Sequence, residues 1–388
     1  MKTLAQYGRI YRQNLDRNVL PFWLKYSPDR KHGGFYSCLT RTGEVYDTKK
    51  YLWFQGRMIW LLARLYNEWN QNPDYLKLAG AGVKFMRKHG RDPAGRVYFS
   101  VTREGRPVFF QRKPYAAVFY MLGLWEFYRA TGDQACRAES LEVCGKIAQW
   151  IKNPGLLGRA PLSGQPPTSN LANCMVLANM ALELMREEQR PRYVRIIRDA
   201  ITGVLRHYDP RRRLLRENVP LDARQDLNAW PEGRFFNPGH SIETAWFLLR
   251  MLEHCPNPRH RQIALDAIEG SLEFGWDEKY GGLFYFMDVE NQPTIPLESD
   301  MKLWWPHLEA IYAVLLAYRL TGSRRWLAWL EKLHDYTFGH FVDRRYGGWF
   351  GYLDRRGNVT NDCKGNNYLA CYHVTRSLMM SAQLIEKN

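Results

Sequence analysis

The stretch "FNPGHSIETAWFLLR", residues 236–250, places His240 and Glu243 three positions apart at the head of an otherwise apolar run. Residues at that spacing share one face of a helix. Two readings stand. The pair caps a helix, or the carboxylate fixes the imidazole tautomer and raises its basicity for proton transfer. A second histidine, His373 in "NNYLACYHVTRSLMM", lies in another apolar stretch. Alone it reads as a satisfied core histidine. Beside His240 it reads as the second of two acid–base groups. Cys371 is two residues from it, hence on another helix face, which sets aside a Cys–His nucleophile.

Other polar groups sit in equally apolar surroundings. Arg57 lies between Trp53 and Trp60 in "YLWFQGRMIW". A buried arginine needs an acceptor, either a carboxylate such as Glu309 or a substrate oxygen that it polarises. "DMKLWWPHLEAIYA" brings together Lys302, Trp304, Trp305, His307 and Glu309. Glu309 is the better pocket candidate, and His307 has no evident role. Residues 155–167, "GLLGRAPLSGQPP", carry Gly158, Arg159 and Gly164. Backbone N–H groups of such a loop can hold a phosphate, although a plain surface loop fits as well. No HExxH or comparable ligand spacing occurs, so no metal is expected. No GxGxxG follows a strand, and no Walker motif is present.

The elements that must position these residues are mostly helical. Apolar residues recur at helical spacing almost throughout, which predicts about twelve helices near 3–26, 48–69, 74–90, 113–131, 133–153, 169–187, 191–208, 238–255, 258–275, 302–321, 323–341 and 364–386. Between pairs of them lie Gly-rich aromatic segments: "HGGFYSCLTRTGEV", "AGRVYFSVTREGRPV", "YGGLFYFMDVENQP" and "YGGWFGYLDRRGNV". Each reads as two strands about a turn. The helices after the hairpins begin near 48, 113, 169, 237, 302 and 364, a period of roughly 60 residues. Six such helical pairs can close on themselves. The expected fold is therefore all-α, an (α/α)6 barrel with short β-hairpins at one rim, formed by a single domain over residues 1–388. In that arrangement Arg57, His240, Glu243, Lys302, Glu309 and His373 come from the same end of four inner helices.

Composition narrows the function classes. The 388 residues carry a net charge of +16, with the basic residues dispersed, as in "DPRRRLLREN". That pattern reads as a solvated basic surface rather than a nucleic-acid site, with attraction of an anionic small molecule left open. No stretch is apolar and long enough to span a membrane, and the first residues lack the apolar centre of a secretion signal. The seven cysteines are scattered with no CxxC pair, which fits reduced thiols in a cytoplasmic protein. The 14 Trp, 23 Tyr and 18 Phe suit both a large core and a sugar-binding cleft.

Together "YLWFQGRMIW", "FNPGHSIETAWFL", "DMKLWWPHLEAIYA" and "CYHVTRSL", with the hairpin repeats, resemble the N-acylglucosamine 2-epimerase family from about residue 30 to the C-terminus. The resemblance implies an (α/α)6 barrel that interconverts N-acetylglucosamine and N-acetylmannosamine. It makes His240 and His373 the catalytic pair. It makes Arg57, Glu243, Lys302 and Glu309 pocket residues, with Trp53 and Trp305 beside them. It further implies ATP as an activator that is not consumed, with Gly158, Arg159 and Gly164 as its candidate loop, no redox cofactor, and a homodimer. Cellobiose 2-epimerases and aldose–ketose isomerases share the scaffold and usually carry a histidine in an "NMH" motif. Here "NLANCMVLAN" places Met175 at that point, which favours the N-acyl-sugar branch. The rival classes are a glycoside hydrolase using Glu243 and Glu309 as its two carboxyl groups, and a non-catalytic sugar- or protein-binding module.

Overall fold

A computed structural model describes residues 2–158, 167–187, 191–222 and 224–386. Among the described residues the helices are, in chain order, α1 Leu4–Asn14, α2 Leu20–Tyr26, α3 Leu52–Leu65, α4 Pro73–His89, α5 Tyr115–Thr131, α6 Gln134–Lys152, α7 Leu171–Met185, α8 Pro191–Arg206, α9 Pro231–Arg234, α10 Pro238–Met251, α11 Pro258–Gly275, α12 Trp304–Thr321, α13 Arg325–His340 and α14 Tyr372–Glu386. A π-helical turn, Leu15–Val19, joins α1 to α2. Every helix predicted from the periodicity is present.

The predicted starts near 48, 169, 302 and 364 are too early. Short strands come first: Lys50–Tyr51 before α3, Thr168–Asn170 before α7 and Lys302–Leu303 before α12. The largest gap is at 364. There the Lys364 N–H donates to the Leu39 carbonyl at 2.9 Å, and the Leu39 N–H donates to the Gly365 carbonyl at 3.1 Å. Backbone groups committed to that bridge cannot enter a helical ladder, and α14 begins only at Tyr372.

Three of the four predicted hairpins form: Cys38–Leu39 with Val45–Asp47, Ser100–Val101 with Pro107–Phe109, and Tyr352–Leu353 with Val359–Asn361. The fourth does not. Met287–Asp288 pairs with Phe235–Phe236, the strand entering α10. The expected return strand ends in Pro293, with Pro296 shortly after it, and neither has an N–H for a ladder. Four further pairings were not foreseen: Lys50–Tyr51 with Ser100–Val101, Lys302–Leu303 with Tyr352–Leu353, Thr168–Asn170 with Asn218–Pro220, and Tyr208–Asp209 with Leu214–Leu215.

The chain forms two compact units, each built from separated segments. One comprises Met1–Asn18, Gln165–Asp362 and Arg376–Asn388. The other comprises Val19–Gly164 and Cys363–Thr375. In the first, α10 packs against α7 and α12, while α8, α11 and α13 back onto α7, α10 and α12 respectively. Burial separates the two rows. Every residue of α12 from Trp304 to Ala317 is buried. In α8 only Tyr193, Ile197, Ala200, Ile201 and Val204 are, a single stripe at helical spacing. In the second unit α3 packs on α5, with α4 and α6 outside them. All residues of α5 from Ala116 to Glu126 are buried. A Cβ on Gly56 would collide with the Phe119 carbonyl, and one on Gly123 would lie 2.8 Å from the Gly56 carbonyl oxygen. Only glycine allows those two backbones to approach so closely.

Candidate active site

The start of α10 is fixed by its own sequence. Asn237 is the N-cap, its side chain accepting the His240 N–H at 3.0 Å, and Pro238 occupies the first helical position. His240 therefore lies in the first turn with its backbone satisfied and its ring free to take other partners. A Cβ on Gly239 would fall 2.6 Å from the Trp305 ring. The indole consequently packs close to α10 and lies against the imidazole, with centroids 5.2 Å apart.

The carboxylate expected to hold His240 was Glu243. It is Glu217. His240 Nδ1 lies 2.8 Å from Glu217 Oε1. A carboxylate only accepts, so Nδ1 carries the proton and Nε2 is left for chemistry. The His240 side chain is 29% exposed and that of Glu217 only 6%. Burial alone would depress the imidazole pKa, but the charge and hydrogen bond of Glu217, with a smaller contribution from Glu243, raise it above its ordinary value. The result is a partly accessible imidazole with a fixed tautomer and enhanced basicity.

Glu243 and Glu309 serve a different group. Arg376 donates through one nitrogen to Glu243 Oε1 and to Glu309 Oε1, the second at 2.7 Å. Trp246 Nε1 donates to Glu309 Oε2 at 3.0 Å. Arg376 is 4% exposed, Glu243 5% and Glu309 1%. Both carboxylates thus accept from one buried guanidinium and are themselves withdrawn from solvent. This weakens the hydrolase reading, which needs one protonated carboxyl and one accessible carboxylate flanking a bond.

Lys302 was expected at the pocket. It has no exposed surface, and its ammonium is 3.1 Å from Asp277 Oδ2. Burial pushes its pKa down to about 8. The second unit holds a counterpart: Lys50, also wholly buried, lies 3.0 Å from Asp29 Oδ2. Arg103 joins Asp29 at 3.0 Å, as Arg355 joins Asp277 at 2.9 Å. Because the same Lys–Asp–Arg cluster recurs before α3 and before α12, the repeat itself accounts for Lys302. His307 is also structural. Its Nδ1 donates to the Leu303 carbonyl at 2.6 Å, and its Nε2 accepts the Leu283 N–H at 2.8 Å.

Trp53, Arg57 and His373 belong to the second unit. The Arg57 guanidinium lies over the rings of Phe119, Trp53 and Tyr372, at 4.0, 4.5 and 4.6 Å from their centroids. That aromatic cage, rather than open solvent, is the setting of Trp53 as well. His373 is half-buried in the first turn of α14, with its ring edge-on to Tyr372 at 5.5 Å. In the 155–167 loop Gly158 has φ of +74°. Arg159 and Gly164 lie outside the described residues.

A sequence model of the N-acylglucosamine 2-epimerase (GlcNAc 2-epimerase) family matches residues 34–377. The chain belongs to this family. It is 36% identical over 392 residues to the N-acylglucosamine 2-epimerase of Mus musculus, covering 99% of this chain and 93% of that protein. It is equally identical to the Homo sapiens protein over 395 residues, covering 99% and 91%. Among solved structures, the cellobiose 2-epimerase of Bacillus thermoamylovorans aligns with a TM-score of 0.82 at 20% identity, covering 99% of this chain and all of that one. That likeness carries the fold, an all-α (α/α)6 barrel with short strands.

Two residues of this candidate site were not singled out from the sequence, Glu217 and Arg376. Arg376 stands in the quoted "CYHVTRSL", three residues after His373, so a second polar group in that apolar run was available as a signal. Glu217 was not readable. It sits in "RENVPL", an unremarkable polar stretch. Contacts distant in sequence fix its place, among them the pairing of Asn218–Pro220 with Thr168–Asn170 and the Leu171 N–H donated to the Glu217 carbonyl at 2.8 Å.

Proposed function

We propose that this protein interconverts N-acylglucosamine and N-acylmannosamine by moving the proton on C2 of the open-chain sugar. Family membership and the 36% identity to mammalian N-acylglucosamine 2-epimerases support the substrate class. The observation that carries the chemistry is the Glu217-bound His240, whose unprotonated Nε2 remains available. The C2 hydrogen becomes acidic only when C1 is a carbonyl. Removing it gives an enediolate, and inversion requires proton return from the opposite face. Two imidazoles satisfy that requirement, and the second role is assigned to His373. Arg57 is assigned to the developing negative charge on the C1 oxygen. One atom loses and regains a proton, so the reaction has no net redox change.

Met175, the fifth residue of α7, supports the N-acyl-sugar reading over the aldose–ketose isomerases. ATP as a non-consumed activator and a homodimeric state are part of the same reading. Arg112, whose Nε lies 3.8 Å from where a Cβ on Gly158 would stand, is a described cation at hand for a phosphate there. No described helix is long and apolar enough to cross a membrane.

The test is proton NMR of N-acetylmannosamine in deuterated water. N-acetylglucosamine signals should grow in with deuterium at C2, and His240→Ala and His373→Ala should each abolish them in folded protein. An unchanged spectrum, or normal turnover in both variants, would overturn the assignment. Adding ATP to the same assay, with nucleotide hydrolysis followed separately, tests the activator, and sedimentation velocity tests the dimer.

A further inference from the structure

His207 follows the last residue of α8 and has no exposed surface. Both of its ring nitrogens are engaged. Nδ1 is 2.7 Å from the Arg216 carbonyl oxygen, and Nε2 is 2.9 Å from Ser169 Oγ. A carbonyl only accepts, so Nδ1 carries the proton and Nε2 accepts from the serine hydroxyl. The Arg216 N–H also donates to the His207 carbonyl at 2.9 Å. Residue 216 is thus bound to residue 207 through both its N–H and its C=O.

The next residue is Glu217, the partner of His240. Its own carbonyl is held by the Leu171 N–H at 2.8 Å. The preceding residue but one, Leu215, donates its N–H to Ser241 Oγ at 2.9 Å. The peptide that aims the Glu217 carboxylate is therefore clamped on every side. His207 is the clamp that also reaches the opposing strand, through Ser169.

We infer that His207 is a positioning residue for His240: it fixes the Arg216 carbonyl, and through it the Glu217 carboxylate that holds the imidazole. This rests on the reading of His240 as a proton-transfer group. His207 is suited to the task because it stays neutral. Burial pushes its pKa down, and the charges facing it are Glu217 and Arg206. The charges facing His240 are Glu217 and Glu243. A ring that merely closed a turn would matter to folding alone. A ring that aims Glu217 sets the basicity of His240 as well.

Two substitutions separate these roles. His207→Asn keeps an amide nitrogen near the position of Nδ1 and can still donate to Arg216. His207→Gln places its amide near Nε2, keeping Ser169 and losing Arg216. The measurement is kcat and KM against pH in both epimerisation directions, with Glu217→Gln as reference. Where His240 takes the proton, losing Glu217 lowers its pKa and moves the acid limb of the profile to lower pH. His207→Gln should move that limb the same way, lower kcat and leave KM within about twofold, a change of under about 0.5 kcal/mol in uniform binding. His207→Asn should restore the wild-type limb. An unmoved limb in His207→Gln, while Glu217→Gln moves it, would overturn the inference. An unmoved limb in Glu217→Gln would instead overturn the reading of His240 on which it rests. If the glutamine variant does not fold, His207→Met decides in its place: it removes the donor to the Arg216 carbonyl, so a limb shifted to lower pH supports the role and an unshifted one removes it. Ser169→Ala frees Nε2 alone and should leave the limb unmoved.

Discussion

Arg376 sits between two carboxylates with almost no exposed surface. Its two ion pairs bind α14 to α10 and α12 within one unit. Desolvating three charges is costly, and the arrangement is favourable only while all three are present. Removing the guanidinium leaves Glu243 and Glu309 close together without compensation. Arg376→Met should therefore destabilise the fold by about 3–5 kcal/mol, the cost typical of breaking a buried pair. Combining it with Glu243→Gln and Glu309→Gln should recover much of that loss, because the uncompensated charges go with it. Thermal unfolding of the wild type, the single substitution and the triple variant checks this. A single substitution as stable as wild type would mean that the carboxylates are solvated or protonated when the arginine is absent. Glu217 on His240 obeys the same electrostatics with a different outcome, since the imidazole there is partly accessible and its charge can change during turnover.

At the scale of elements, the row to which each helix belongs was legible in its pattern of apolar residues. "YAAVFYMLGLW" in α5 has no polar side, which requires burial all round. "PRYVRIIRDAITGVLR" in α8 has one apolar stripe and requires burial on one face only. Helix starts were less legible. The segments before α3, α7 and α12 are hydrogen-bonded to strands distant in sequence, and periodicity has no access to such partners. The same limit hid the pairing of Met287–Asp288 with Phe235–Phe236. The His240–Glu243 spacing was correctly read as one helix face, yet proximity along a helix did not decide which carboxylate reaches the ring. A prediction follows for the α3–α5 contact. Gly56→Ala forces a methyl group against the Phe119 carbonyl, which belongs to a backbone and cannot rotate away. The helices must separate, and the cost should be at least the roughly 1–3 kcal/mol of ordinary overpacking. Gly132→Ala meets no atom within 4 Å. It is penalised only by its φ of +75°, roughly 1 kcal/mol for an ordinary residue forced left-handed. A lower melting temperature for Gly132→Ala than for Gly56→Ala would refute this ranking.

At the scale of the whole molecule, stability depends on histidines that folding keeps neutral. Burial holds His307 at about 3 and His334 at about 4, and it lowers His207 as well. In the unfolded chain all three return to an ordinary value near 6.5. A histidine depressed in the folded state contributes stability that is complete above about pH 6.5. As pH falls, the unfolded chain binds protons that the folded chain refuses, and each such group removes about 1.4 kcal/mol per pH unit. His240 acts in the opposite sense, because its pKa is raised by Glu217. Its contribution to the folded state is fully present below pH 6.5, where both states already hold the proton, and it adds no slope there. The paired carboxylates of lowest pKa, such as Asp277 at about 2, have their unfolded values near 4 and barely contribute above pH 5. The interval from pH 6.5 to 5 therefore reports on the histidines. Unfolding free energy should fall through it, and His307→Gln, though less stable at pH 7, should show a shallower slope. Equal slopes in the two proteins would mean that His307 is protonated in the folded state despite its burial between the Leu303 carbonyl and the Leu283 N–H.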